Sequence, residues 1–136
     1  MFVGPAWRIV IERRTQYFEK LEVWQLAVGL VKAVYQQATQ LPGSETHCLG
    51  DQLRRSAVSV ALNIAEGRAS DSDADFRRFL GISLKSLIEV VAAARLCEEL
   101  RLLDTTQLAS LYALCDQLEA KLRTFRKKLS RRKTKQ

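Results

Sequence analysis

The sequence predicts an all-α protein, an antiparallel up-down four-helix bundle. Three observations carry that expectation. Apolar residues recur at three- and four-residue spacing in four separate segments, the period of a helix and not of a strand. Two prolines and six glycines in 136 residues leave long stretches free to stay helical. The breaks between the four segments are short, and short connections favour antiparallel packing of successive helices.

The first helix is predicted over about Leu21–Gln40. Leu21, Trp24, Val28, Val31, Tyr35 and Ala38 step along it as a packing seam. Leu41-Pro42-Gly43-Ser44 ends it, because proline cannot continue a helix and disfavours helical geometry just before itself. Ser44 or Thr46 is the expected cap of the second helix.

That second helix carries Leu49–Gly67, the stretch around which the chain is organised. At about 100° per residue, Leu49, Leu53, Ala57, Val58, Val60, Ala61, Leu62, Ile64 and Ala65 cover an arc wider than a surface helix needs. Gln52, Arg55, Ser56, Ser59, Asn63 and Glu66 gather on the remaining side. Arg54 falls inside the apolar arc, where its stem can snorkel or its head pair across an interface. Gly67 is expected to stop the helix.

Ser70 or Asp71 is the expected cap of the third helix, with Asp71, Asp73 and Asp75 near its positive end. It runs to about Leu102, burying Phe76, Phe79, Leu80, Ser83, Leu84, Leu87, Val90, Val91 and Ala94, with Arg95 on the flank. Asp104-Thr105-Thr106 caps the fourth. There Leu108, Leu111, Cys115, Leu118, Leu122, Phe125 and Leu129 make the cleanest heptad in the chain. The expected layout is a mobile extension over 1–16, where Gly4 and Pro5 discourage a helix, a bundle over 17–129, and a basic tail over 130–136.

An apolar fraction of 47% and a charged fraction of 27% are ordinary for one globular domain with one core. No apolar run approaches the ~18 residues of a membrane span, and the N-terminus lacks the features of a secretory signal. Cys48, Cys97 and Cys115 are odd in number and far apart, which suits free thiols in a reducing cytoplasm. The net charge of +7 is uneven: residues 126–136 carry +7, residues 1–16 carry +2, and the rest carries −2. The basic character therefore lies at one end.

Residues that could carry chemistry are few. Asp71, Asp73 and Asp75 begin like a calcium loop, yet the positions that need Gly and Glu hold Phe76 and Ile82. His47 is the lone histidine, beside Cys48, and a zinc site needs about four ligands. One histidine also excludes the paired Glu-x-x-His motifs of a di-iron bundle. No nucleotide-cradling glycine loop or nucleophile elbow is present. The expectation is a non-enzymatic protein without cofactor or metal. Arg55, Ser59, Asn63 and Glu66 align along the second helix. They read as a hydrogen-bonded network that fixes register or subunit contact, in preference to a ligand site. The terminal cations Arg126, Lys127, Lys128, Arg131, Arg132, Lys133 and Lys135 would hold phosphate backbones without reading bases.

The run QLRRSAVSVALNIAEG, with FEKLEVWQLA upstream, resembles the small bacterial four-helix-bundle proteins encoded by intervening sequences of 23S ribosomal RNA genes. The accessory variability determinants of diversity-generating retroelements are similar in fold. The resemblance covers Phe18–Leu129. Relatives carry a Gly-Ser pair in the third helix and a Gly-Leu step before the second; GISLKSLIEV and HCLGDQL stand here, marking a divergent member. It implies a ring-like homopentamer, architectural roles for Arg55 to Gly67, and a reverse transcriptase and its template RNA as partners. The expected function is a cytoplasmic oligomer that binds RNA or DNA. The alternative is a protein-binding scaffold whose basic end serves solubility.

Overall fold

The computed structural model describes residues 18–134 of the chain. The predicted extension over 1–16 and Lys135 lie outside the described residues. Four long helices make up the described residues: α1 (Glu22–Ala38), α2 (Asp51–Ala69), α3 (Asp73–Glu99) and α4 (Thr105–Thr134). No strand occurs among the described residues. α2 packs against α1 and α3, and α4 against α1 and α3, so that one apolar core runs down the middle.

The buried face of α1 is Val23, Ala27, Leu30, Val34 and Ala38. The predicted seam through Leu21, Trp24, Val28, Val31 and Tyr35 is therefore displaced to its flank. Two apolar stripes run side by side on this helix. The one with smaller side chains takes the centre, because packed helices approach to roughly 8–10 Å. Trp24 sits at the rim, edge-on to Phe18 with centroids 4.7 Å apart, and Tyr35 is 46% exposed.

Between α1 and α2 the chain makes a short helical turn, Gly43–Glu45, and a π-helical turn, Thr46–Gly50, that runs straight into α2. Neither Ser44 nor Thr46 caps α2. The helical ladder is continuous through the π turn, so no unpaired N–H group awaits a cap there. Arg54 finds partners close by in its own chain. Its guanidinium folds back to donate to the Thr46 carbonyl at 2.8 Å and to Asp51 Oδ1 at 2.7 Å, bracing the turn.

In α2 the predicted arc is buried through Leu53, Ala57, Val60, Ala61 and Ile64, but Leu62 is 54% exposed. Gly67 is not the stop. The helix continues to Ala69, and no described glycine has a positive φ. Its purpose is close approach: a Cβ there would lie 2.8 Å from Phe76 Cδ1 and 2.9 Å from Phe79 Cβ. The cap of α3 is Ser72, which accepts from the Asp75 amide at 3.1 Å, in place of Ser70 or Asp71. The Ser70 hydroxyl is already donated to the Gly67 carbonyl at the end of α2.

α3 ends at Glu99, short of the predicted Leu102, with Arg101 at φ 57°. The Leu102 amide donates to the Cys97 carbonyl at 2.8 Å and the Arg101 amide to Glu98 at 2.9 Å, the Schellman pattern. Asp104 caps α4 as predicted: its Oδ1 accepts from the Gln107 amide at 2.7 Å while Gln107 Oε1 accepts from the Asp104 amide at 2.9 Å. The heptad of α4 is buried at Leu108, Leu111, Cys115, Leu118, Leu122 and Leu129, with Phe125 half-buried against Phe76 at 5.0 Å. No break falls at residue 129. Residues 130–134, placed in the tail by the sequence reading, are the last turns of α4.

Candidate nucleic-acid interface

The polar residues of α2 divide into two kinds. Ser59 and Asn63 are half-buried. The Ser59 hydroxyl is 2.7 Å from that of Ser86 on α3, and Asn63 Nδ2 donates to the Ser59 carbonyl at 2.9 Å and to its hydroxyl at 3.1 Å. One turn away, the buried Ser83 donates to the Val60 carbonyl at 2.9 Å. These serines are small enough to let α2 and α3 close up, and their hydroxyls are satisfied across the contact. Arg55 and Glu66, the ends of the predicted network, are exposed and take no part in it.

The thiols, histidine and aspartates have equally concrete places. Burial pushes the Cys97 thiol up and the Cys115 thiol up to about 12, so both stay protonated. Cys48 and His47 are exposed in the π turn, His47 Nδ1 lying 4.0 Å from Asp51. Asp73 and Asp75 face arginines, with Arg132 Nε at 3.1 Å and Arg78 Nε at 3.7 Å.

The terminal cations are arrayed around a helix, and the helix sorts them. Heptad burial of Phe125 and Leu129 turns Lys127, Lys128, Arg131 and Arg132 outward. Arg126 is half-buried on the α3 side. Its Nε donates to the Arg77 carbonyl at 3.2 Å, and its guanidinium lies where a Cβ on Gly81 would come within 3.3 Å. Burial, and then the charges of Arg77 and Arg123, make its proton easier to lose than an ordinary arginine's. On that side Arg77, Lys127, Ser130 and Arg131 line an open cavity of about 300 Å³. On the α1 side Lys128 shares a cleft of about 310 Å³ with Glu22, Val23, Lys121, Thr124 and Phe125, and Lys121 pairs with Glu22 at 3.3 Å. Lys133 belongs to the last turn of α4.

Arg77 is the member of this surface that the terminal charge run does not reveal. It lies 49 residues from Arg126 and is brought there by the packing of α3 on α4. The sequence signal for it was the Arg77-Arg78 pair, exposed just after the start of the third helix. On the other flank of α3, Arg95 is engaged locally, stacked over the Tyr112 ring at 4.2 Å and 3.6 Å from Glu98.

The described residues contain no helix long and apolar enough to cross a membrane. No curated protein matches the chain. The sequence profile of one family matches residues 19–124, taking in α1, α2, α3 and most of α4 and ending before the basic turns. The chain belongs to the 23S rRNA-intervening sequence protein family.

Proposed function

We propose that this protein is a non-enzymatic, cytoplasmic homo-oligomer of antiparallel up-down bundles that binds RNA or DNA through the basic end of α4. The observation that carries the nucleic-acid reading is the outer surface of that end. Arg126, Lys127, Lys128, Arg131 and Arg132 stand within seven residues of one helix, and Arg132 pairs with Asp73 at 3.1 Å. Cations so placed attract phosphate backbones without a sequence code. Support for antiparallel order comes from the early part of α3 meeting the late part of α2, as Phe76 meets Gly67.

Self-association is supported by apolar side chains that the single chain leaves uncovered. Leu62 and Ile88 are each 54% exposed, Leu96 52% and Leu100 59%. The pentamer, and a reverse transcriptase with its template RNA as partners, are what the likeness to retroelement accessory proteins implies. In a ring, several basic helix ends would act together by avidity.

The test replaces Lys127, Lys128, Arg131, Arg132 and Lys133 with glutamine and keeps Leu129. The parent is expected to bind RNA and duplex DNA at low salt with little sequence preference, and the variant to lose most of that affinity with its helical content unchanged. A parent that binds neither, in a protein that still self-associates, favours the scaffold reading. Light scattering that gives a 15.4 kDa particle would refute self-association. A reverse transcriptase gene beside a template and variable repeat pair would support the retroelement partner.

A further inference from the structure

We infer that Arg77, Lys127, Ser130 and Arg131 form a preformed cradle for a backbone phosphate, built across α3 and α4, so that nucleic acid is held by the folded body and not by a flexible basic end. This rests on the nucleic-acid reading above and names the site within it. The four side chains line one cavity of about 300 Å³, which has room for a phosphate group. Two observations separate it from a merely charged helix end.

The first is the distribution of partners. Three nearby arginines have carboxylate partners: Arg78 has Asp75, Arg132 has Asp73, and Arg123 has Glu119 at 3.0 Å. Arg77 and Lys127 make no ion pair among the described residues. Cations at the C-terminal end of α4 are explained in part by the negative end of the helix dipole. Arg77 is not, because it stands in the second turn of α3, beside that helix's positive end. Like charges brought together from two elements cost free energy unless an anion joins them.

The second is how the floor of the cavity is fixed. Arg126 crosses from α4 to the Arg77 carbonyl and occupies the space beside Gly81. Its guanidinium ties the α3 backbone at Arg77 to the turn of α4 that carries Lys127 and Ser130. The cradle therefore has a fixed width, and the Ser130 hydroxyl can donate to an oxygen held between the cations.

The experiment is fluorescence anisotropy of a single-stranded RNA oligonucleotide with the full chain, titrated at 50 and 200 mM salt. Three variants are compared with the parent: Arg77→Gln, Ser130→Pro, and Lys32→Gln, which removes a cation from the exposed face of α1. One lost phosphate contact flattens the log–log salt slope by about 0.7, equivalent to roughly eightfold at 50 mM and threefold at 200 mM. Arg77→Gln is expected to show that loss although it lies far from the charge run, and Lys32→Gln to match the parent. Ser130→Pro keeps every charge but bends α4 at the turn carrying Lys127 and Arg131, since its ring clashes with the Arg126 carbonyl. It is expected to bind at least threefold more weakly at 50 mM, with its helical content by circular dichroism close to the parent's. If the parent binds and Arg77→Gln behaves as Lys32→Gln, the cradle is overturned and the nucleic-acid reading stands. Binding by Ser130→Pro at the parent's strength would equally overturn it, because a flexible polycation would tolerate that change. No binding by the parent would overturn both readings.

Discussion

Substituting Gly67 tests the close approach of α2 and α3. An alanine Cβ at that position would sit 2.8 Å from Phe76 Cδ1 and 2.9 Å from Phe79 Cβ. Neither neighbour can yield freely. Phe76 is 7% exposed and packs against Phe125, and the Phe79 Cβ is fixed to its own backbone. Relief requires α3 to move off α2, and two contacts under 3.0 Å put the overpacking strain in the upper part of the usual range, about 2–3 kcal/mol. Alanine returns about 1 kcal/mol of helix propensity. The net expectation is a loss of about 1–2 kcal/mol, lowering Tm by about 3–10 °C for a domain of this size. Gly29, in the middle of α1, is the internal control. A Cβ there meets nothing within 4 Å. Gly29→Ala should gain about 1 kcal/mol. Thermal unfolding followed by circular dichroism at fixed protein concentration reads both, concentration being held because self-association shifts Tm. Gly67→Asn separates sterics from capping: a left-handed cap tolerates asparagine, whereas a close contact makes it worse than alanine. Gly67→Ala as stable as the parent, or Gly67→Asn milder than Gly67→Ala, would refute the close-approach argument.

Arg101→Gly should raise Tm by about 2–5 °C. The left-handed residue costs roughly 1–2 kcal/mol, and glycine's greater freedom when unfolded offsets about 0.5–1 of that; an unchanged or lowered Tm counts against a strained Schellman stop. Cys48 should be the one thiol alkylated quickly at neutral pH, the others reacting only on unfolding, and Cys48→Ser should remove the fast phase. Because burial raises the Cys97 and Cys115 thiols in the folded state, their contribution to stability is full below about 9.0 and is lost as pH rises above it, for Cys115 toward about 12. At the acid end, the Arg54 hydrogen bond holds the Asp51 carboxyl below its ordinary 3.8. The unfolded chain takes that proton first, so the bracing contribution is present above about pH 4 and fades as pH falls below it. Asp51→Asn should flatten the acid limb of a stability–pH profile.

The helices that were most legible are those whose signals are redundant. α4 combines an unbroken heptad with a reciprocal Asp104–Gln107 cap, and each feature alone places its start. α1 was legible as a helix but not in its rotation. Two apolar stripes one residue apart satisfy the same period, and only the neighbouring helices decide which is buried. The end of α3 could not be read because its left-handed residue is Arg101 and not the glycine that normally marks such a stop. Gly67 shows the converse. The glycine was visible and its need for space was real, but two reasons for a glycine near a helix end look identical in one dimension. The choice between them depends on Phe76 and Phe79, which arrive from the next helix.

The same limit explains how the candidate site was read. Charge counting located the basic end, because seven cations in eleven residues need no structure to be noticed. It treated them as equivalent, and a helix makes them unequal. Arg126 becomes a strut, Arg132 an ion-pair partner of Asp73, Lys128 a neighbour of α1, and Lys127 and Arg131 the wall of a cavity. Arg77 completes that wall only because Gly67 and the paired serines let α3 lie close on α2 while Phe76 meets Phe125 on α4. The small residues of the second helix and the phosphate-facing cations are thus one design at two distances. Prying α3 from α2 at Gly67 should disturb the Arg77 side of the cradle. Gly67→Ala is therefore expected to weaken RNA binding as well as stability, although it changes no charge. Affinity equal to the parent's, in a Gly67→Ala protein measured well below its Tm, would show that the two are independent.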